Sequence, residues 1–194
     1  MNATPEITGS PLVEVLRESQ RLGFLGSRPI EEVVAHARHF VEAVTPLLIA
    51  DDAQILDLGA GGGVPGLVIA NDLPRCRVTM VDRRRTRTDF LDRVVRRLEW
   101  TGRVDVLTQD AARLAPGQGE SRDAVVARGF GPPQTTLRIA VRWVKPGGVI
   151  VISEPPVEVT SRDHVTDRWS EVDLVALGVS RCPSAHQVAV FRRS

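Results

Sequence analysis

The sequence predicts an α/β fold: a mainly parallel seven-stranded sheet with helices on both faces, an antiparallel pair at its C-terminal end and a helical N-terminal extension. Three observations predict it. From Gln54 onward, short β runs alternate with helical stretches, the order that gives parallel strands joined by crossover helices. A glycine-rich run, Gly59 to Gly66, lies between the first strand and the helix after it. The last part of the chain reads instead as two strands with no helix between them.

Taken in order, Met1 to Ser10 read as a loose tail and Leu12 to Leu22 as a short helix. Gly23 to Arg28 is a loop in which Ser27 stands where it can cap the second helix. Pro29, Glu31 and Glu32 suit a first helical turn, where a missing N–H costs nothing and carboxylates face the positive end of the helix dipole. Ile30, Val33, Val34, Ala37, Phe40, Val41 and Val44 recur at helical spacing and form one apolar face. Thr45-Pro46 ends or kinks that helix. Residues 1–50 are thus expected to be the helical extension and residues 51–194 the main domain.

Ile55 to Leu58 is the first strand, and Pro65 to Asn71 opens the first crossover helix. Arg77 to Val81 is the second strand. Thr86 to Trp100 is a helix with Phe90, Leu91, Val94, Val95 and Leu98 on one side. Val104 to Leu107 and Ala124 to Ala127 are the third and fourth strands, and a helix lies around Gln134 to Trp143. Lys145-Pro146-Gly147-Gly148 is a turn into the fifth strand, Val149 to Ser153. Val172 to Leu177 and Gln187 to Arg192 are predicted as the closing antiparallel strands.

The 194 residues, 42% hydrophobic and 25% charged, suit one globular core. No apolar run approaches the ~18 residues of a membrane span, so no membrane association is expected. Met1 to Ser10 lack the basic-then-apolar order of a secretory leader, and the expectation is a cytoplasmic protein. Two cysteines, Cys76 and Cys182, are too few for a disulfide framework. They show no metal-ligand spacing with the four histidines, so no metal is expected. A net charge of +1 means the molecule as a whole does not attract nucleic acid; any such attraction must be local.

The chemistry centres on Asp57-Leu58-Gly59-Ala60-Gly61-Gly62-Gly63. Glycines permit a tight turn and close approach of a ligand to the backbone. A Gly-x-Gly-x-x-Gly run such as Gly61 to Gly66 is weak evidence alone and also fits a nicotinamide enzyme. Asp57 sharpens the reading. At the strand end its carboxylate can receive the cationic amino end of a methionine, whereas a dinucleotide pyrophosphate would be repelled. Asp82, 21 positions beyond Gly61, ends the second strand and can accept from ribose hydroxyls. Asp110 comes after the third strand and can reach an adenine amino group, with Ala111 and Ala112 supplying backbone. Three acids at three successive strand ends point to S-adenosylmethionine and to a Rossmann-like class I methyltransferase fold.

Methyl transfer from a sulfonium is an in-line displacement, and holding the reactants in line supplies much of the catalysis. Exocyclic amine acceptors usually need an Asn/Asp-Pro-Pro-aromatic loop after the fourth strand. Here that place reads Ala127-Arg128-Gly129-Phe130-Gly131-Pro132-Pro133. Pyrimidine carbon acceptors need a cysteine, and neither cysteine is near. A ring nitrogen such as guanine N7 needs no base. Arg128 is the candidate catalytic residue: its planar fork suits the methionine carboxylate or a substrate phosphate. Phe130 can stack on a base or fill the core. Arg83, Arg84, Arg85 and Arg87, extended by Arg93, Arg96 and Arg97, form either a phosphate-binding patch or a solvated helix face.

The segment Ile55-Leu56-Asp57-Leu58-Gly59-Ala60-Gly61-Gly62-Gly63-Val64-Pro65-Gly66 resembles the RsmG family, also called glucose-inhibited division protein B, which methylates guanine N7 in small-subunit (16S) ribosomal RNA. The resemblance runs on through Val81-Asp82-Arg83, Phe90-Leu91, Val126-Ala127-Arg128 and Lys145-Pro146-Gly147-Gly148. It implies that Gly59, Val64, Ala111, Ala112 and Arg128 line the cofactor site, and that ribosomal RNA or the small ribosomal subunit is the partner. The chain departs from the family on the substrate side. Gly23 to Ser27 replace an Asn-Leu-Thr segment, the His-x-x-Asp-Ser pattern is missing around His36 to Ala43, and Ala112 stands where Glu is common. Gly129 stands where Ala is common, and Ser153-Glu154-Pro155-Pro156 replace a Lys-Gly. An acidic Glu154 facing the substrate would repel phosphate. A methyltransferase of a small molecule or protein, and a non-catalytic cofactor-binding protein, therefore stand beside the RNA reading.

Overall fold

The computed structural model describes residues 9–47, 52–113, 121–154, 169, 171–183 and 187–194. Seven strands form one sheet: β1 (Gln54–Leu58), β2 (Arg77–Asp82), β3 (Val104–Thr108), β4 (Arg122–Ala127), β5 (Val144–Ser153), β6 (Val179–Cys182) and β7 (Val188–Arg193). Their order is β3-β2-β1-β4-β5-β7-β6. The first five run parallel, and β7 lies antiparallel between β5 and β6. The order reverses between β1 and β4, and in open α/β sheets a ligand crevice lies at such a point, beyond the carboxyl ends of the strands.

Alternate residues of each strand enter two separate cores. Ile55, Val78, Met80, Ala124, Val126, Val149 and Val151 join one cluster, with the buried residues of α1 (Pro11–Arg21), α2 (Ile30–Val44), α3 (Gly66–Asp72) and α4 (Arg85–Arg97). Leu56, Leu58, Val125, Ile150, Ile152 and Phe191 join the other, with residues of α5 (Pro133–Val141) and α6 (Glu171–Ala176) and with Trp143 and Trp169. Strands buried on both faces account for their near-continuous apolar runs.

Most expected elements lie within a residue or two of their places. Helix α1 begins on Ser10, whose Oγ accepts from the Val13 N–H at 3.3 Å, and it ends before Gly23, which has φ +73°. Four expectations need correction, the last of them in β5. Ser27 does not cap α2; its N-cap is Pro29, with no side-chain capping bond. Helix α4 stops at Arg97 rather than Trp100, because Glu99 takes a left-handed φ of +58° that no helix continues. The stretch from Val172 to Leu177, expected as a strand, lies instead in helix α6 and the turn after it, and the sixth strand is Val179–Cys182. The Leu177 N–H donates to the Asp173 carbonyl at 3.1 Å, and Gly178 at φ +65° turns the chain into β6.

The Lys145-Pro146-Gly147-Gly148 turn lies inside β5, where the pairing with β4 jumps from Arg122↔Val144 to Ala124↔Val149. Among the described residues no helix is long and apolar enough to cross a membrane.

Candidate active site

The loop after β1 is fastened from three sides. The Gly59 and Ala60 amides both donate to the Val81 carbonyl, at 2.8 and 2.9 Å. Asp82 at the end of β2 accepts from the Gly61 N–H at 3.0 Å and from the Arg84 N–H at 2.8 Å, with the Arg87 guanidinium 3.4 Å away. From above, the fully buried Ser19 of α1 donates to the Gly62 carbonyl at 2.9 Å. A Cβ on Gly62 would lie 2.5 Å from Ser19 Oγ and 2.6 Å from Leu25 Cγ. The N-terminal helix is thus seated directly on the glycine loop, a contact between residues 43 positions apart that no local pattern reveals.

Asp57 lies beneath the loop and is fully buried. Its Oδ2 accepts from the Gly66 N–H at 2.8 Å, while its Oδ1 has no partner among the described residues. Burial pushes its carboxyl from an ordinary 3.8 up to about 7, against the pull of the Gly66 bond and the Arg128 charge. Space here is tight. A Cβ on Gly66 would stand 2.7 Å from Asp57 Oδ2 and 2.9 Å from Met80 Cγ. Gly66→Ala is therefore expected to cost about 1–3 kcal/mol through overpacking. Thermal unfolding should show a midpoint lower by several degrees; an unchanged midpoint would mean the loop relaxes freely.

Two adjoining cavities open around this loop. One, of about 480 Å³, is lined by Gly59, Asp82, Arg83, Arg84, Asp110, Ala111 and Ala112. The other, of about 550 Å³, is lined by Leu25, Arg28, His36, Arg128, Ser153 and Glu154. Gly129 and Phe130 belong to both. The Phe130 ring lies against Gly59, where an added Cβ would meet it at 2.5 Å. Glycine at position 59 is therefore required both by its φ of +70° and by the ring above it.

Most residues singled out in the sequence meet here. Asp110 lines the first cavity, though its Oδ1 accepts from the Ala112 N–H at 3.1 Å and its Oδ2 lies 3.4 Å from Arg113. Val64 packs in the core with only 4% of its surface exposed. The arginine cluster divides. Arg83, Arg84 and Arg87 border the first cavity, whereas Arg97 pairs with Glu18 at 2.9 Å and Arg96 borders a separate hollow beside β3. Glu154 faces the second cavity, but its Oε1 accepts from Trp169 Nε1 at 2.9 Å and lies 3.4 Å from the Arg181 guanidinium. Its Oε1 is thus paired with Arg181 of β6 while the residue still lines the cavity.

Arg128 stands directly after β4 and is partly buried, and no ion pair or hydrogen bond of its side chain occurs among the described residues. Burial first, then the positive charge of Arg28, make its cation less stable than an ordinary arginine, while Asp57 works the other way. Sequence patterns alone do not single out Arg28 or His36. His36 Nδ1 is buried without a hydrogen-bond partner among the described residues. Burial, then the charges of Arg128, His39 and Arg28, hold its imidazole down at about 4, so it is neutral near pH 7.

Among the described residues, a buried carboxylate oxygen without a partner lies under the glycine loop and a guanidinium without a partner lines the cavity beyond it, groups of the two signs that would suit the ends of a methionine. The residues present fit S-adenosylmethionine on that ground. The fold alone does not select this chemistry: the [4+2]-cyclase SpnF matches with a TM-score of 0.63 at 21% identity, over 89% of this chain and 70% of that one. The family model for GidB, rRNA small subunit methyltransferase G, matches residues 12–164.

This chain belongs to that family. Among its curated relatives, the ribosomal RNA small subunit methyltransferase G of Rhizorhabdus wittichii is 32% identical over 76% of this chain and 70% of its own length. That of Bordetella avium is 26% identical over 86% and 74%. Several other relatives are matched over only about half of their length. S-adenosylmethionine is the methyl donor of the family, and the GidB match begins at Leu12, inside the helix that carries Ser19.

Proposed function

We propose that this chain transfers the methyl group of S-adenosylmethionine to N7 of a guanine in small-subunit ribosomal RNA, with the small ribosomal subunit as partner. The observation that carries the reading is Arg128, unpartnered among the described residues on the wall of a cavity whose histidine is held neutral, with the buried, unpartnered Oδ1 of Asp57 beneath the adjoining glycine loop. Family membership supplies the acceptor.

In this reading S-adenosylmethionine supplies an electrophilic methyl group on a sulfonium. Asp57 receives the ammonium of the methionine end, and Arg128 holds its carboxylate through a planar fork. Gly59, Gly61 and Val64 shape the loop, and Asp82 keeps it closed against the start of α4 while offering a remaining lone pair to a ribose hydroxyl. Asp110, Ala111 and Ala112 border the adenine end. Phe130, shared by both cavities, stacks on the acceptor base.

Among the described residues that line the acceptor side, none is suited to removing a proton. A general base works best with a pKa near the operating pH. His36, at about 4, is too weak, and Glu154 is held by Trp169 and Arg181. Cys76 and Cys182 do not line this cavity. An acceptor with a ready lone pair, such as guanine N7, requires only alignment.

The test is incubation of unmethylated small ribosomal subunits with methyl-labelled S-adenosylmethionine, then nucleoside analysis. Label in 7-methylguanosine is expected. No label in RNA, together with label in a metabolite extract, would overturn the reading in favour of a small acceptor.

A further inference from the structure

The second cavity carries more positive charge than a cofactor carboxylate requires. Arg28 and Arg128 both line it. Among the described residues neither guanidinium has an ion-pair partner, and each is close enough to influence the other or His36. The carboxylate on the cavity wall, Glu154, is engaged with Trp169 and Arg181. One arginine suffices for a methionine carboxylate, and Arg128 is the better placed, adjoining β4 and the Asp57 charge. Arg28 lines the same cavity and is exposed.

Its position is fixed by its backbone. Gln20 Nε2 donates to the Arg28 carbonyl at 2.8 Å and to the Gly26 carbonyl at 2.5 Å. That clamp holds the loop between α1 and α2 against the cavity, and Arg28 itself is exposed. A solvated arginine on a fixed backbone suits a phosphate, whose oxygens it can grip through two parallel hydrogen bonds.

We propose that Arg28 binds the phosphate of the acceptor nucleotide and so selects a nucleotide over a bare base or nucleoside. The inference rests on the nucleic-acid reading for its choice of ligand. It gives the N-terminal segment, one of the places where this chain departs from the family pattern, a role in choosing the substrate. The cofactor end remains with Arg128 and Asp57.

The test uses the full chain with S-adenosylhomocysteine bound, and guanosine 5′-monophosphate and guanosine as probes. The wild type is expected to bind the monophosphate about tenfold or more tightly than guanosine, the size of one charge-assisted contact. Arg28→Ala should erase that preference and leave S-adenosylhomocysteine affinity within about twofold. Arg28→Lys should restore part of it. His36 provides a signature that a merely structural arginine would not move. Arg28 helps to hold its imidazole at about 4, so the monophosphate should raise the His36 titration midpoint, read by NMR, in the wild type and not in Arg28→Ala. Arg128 and His39, the other charges acting on His36, stay in place in both proteins. Equal binding of the two probes by the wild type, or a preference unchanged in Arg28→Ala, would overturn the proposal. A preference lost with Arg28 in a protein that leaves ribosomal subunits unlabelled would keep the phosphate site and overturn the RNA reading instead.

Discussion

Arg128→Ala is expected to weaken S-adenosylmethionine binding by roughly 30- to 150-fold, the equivalent of about 2–3 kcal/mol for a lost charge-assisted contact. The melting temperature of the free protein should not fall, because Arg128 makes no ion pair among the described residues and its cation is disfavoured by burial and by Arg28. Truncation removes a group that the folded state holds at a cost. Arg128→Lys should recover part of the affinity: a point charge attracts the carboxylate but cannot grip both of its oxygens. Isothermal calorimetry on the three proteins, with thermal unfolding alongside, checks both halves. A Kd within about threefold of wild type, under ~0.7 kcal/mol, would remove the role assigned to Arg128. A large drop in melting temperature would show that the arginine has a structural partner instead.

The parts of this site that were legible in the sequence are those whose geometry is local to one strand end. Asp57, Asp82 and Arg128 lie at the carboxyl ends of β1, β2 and β4, and adjacent parallel strands in register bring those ends together. The glycine loop is dictated by the need for positive φ at Gly59, Gly61 and Gly63. The roof of the site was not legible. Ser19 bonding to Gly62, and Arg28 and His36 facing Arg128, depend on how the first two helices pack across the sheet, and helical spacing records only that one face is apolar. The error at Val172–Leu177 has a similar origin. A short apolar run fits a helix as well as a strand, and its packing in the cluster that holds Phe191 and Trp169 decides between them. Glu154 shows the opposite limit. Its residue type suggested a repulsive wall, yet its partners Trp169 and Arg181 come from 15 and 27 positions away and engage its Oε1.

The stability of the free protein is expected to fall as pH rises from about 4 to 7 on account of Asp57. The folded state holds its carboxyl near 7, well above the ordinary 3.8, because burial disfavours the anion. Across that window folding takes up a proton, so the contribution is complete below the ordinary value and is lost as pH passes through the folded one. The shift sets a ceiling of about 4 kcal/mol. Cofactor binding should run the other way. An ammonium beside Oδ1 favours the ionised carboxyl, so binding near pH 6 is expected to release about one proton, and affinity should climb with pH until about 7 and then level. Calorimetry in two buffers of different ionisation enthalpy measures the proton directly. Asp57→Asn keeps an oxygen for the Gly66 N–H and abolishes the charge. It should flatten both pH profiles, stabilise the free protein at about pH 8 and weaken cofactor binding by roughly ten-fold or more, about 1.4 kcal/mol. This is the trade of stability for function expected of a buried binding group. Binding that is independent of pH between about 5.5 and 7.5, with no proton released, would show that the ammonium is received elsewhere and that Asp57 serves only to hold Gly66.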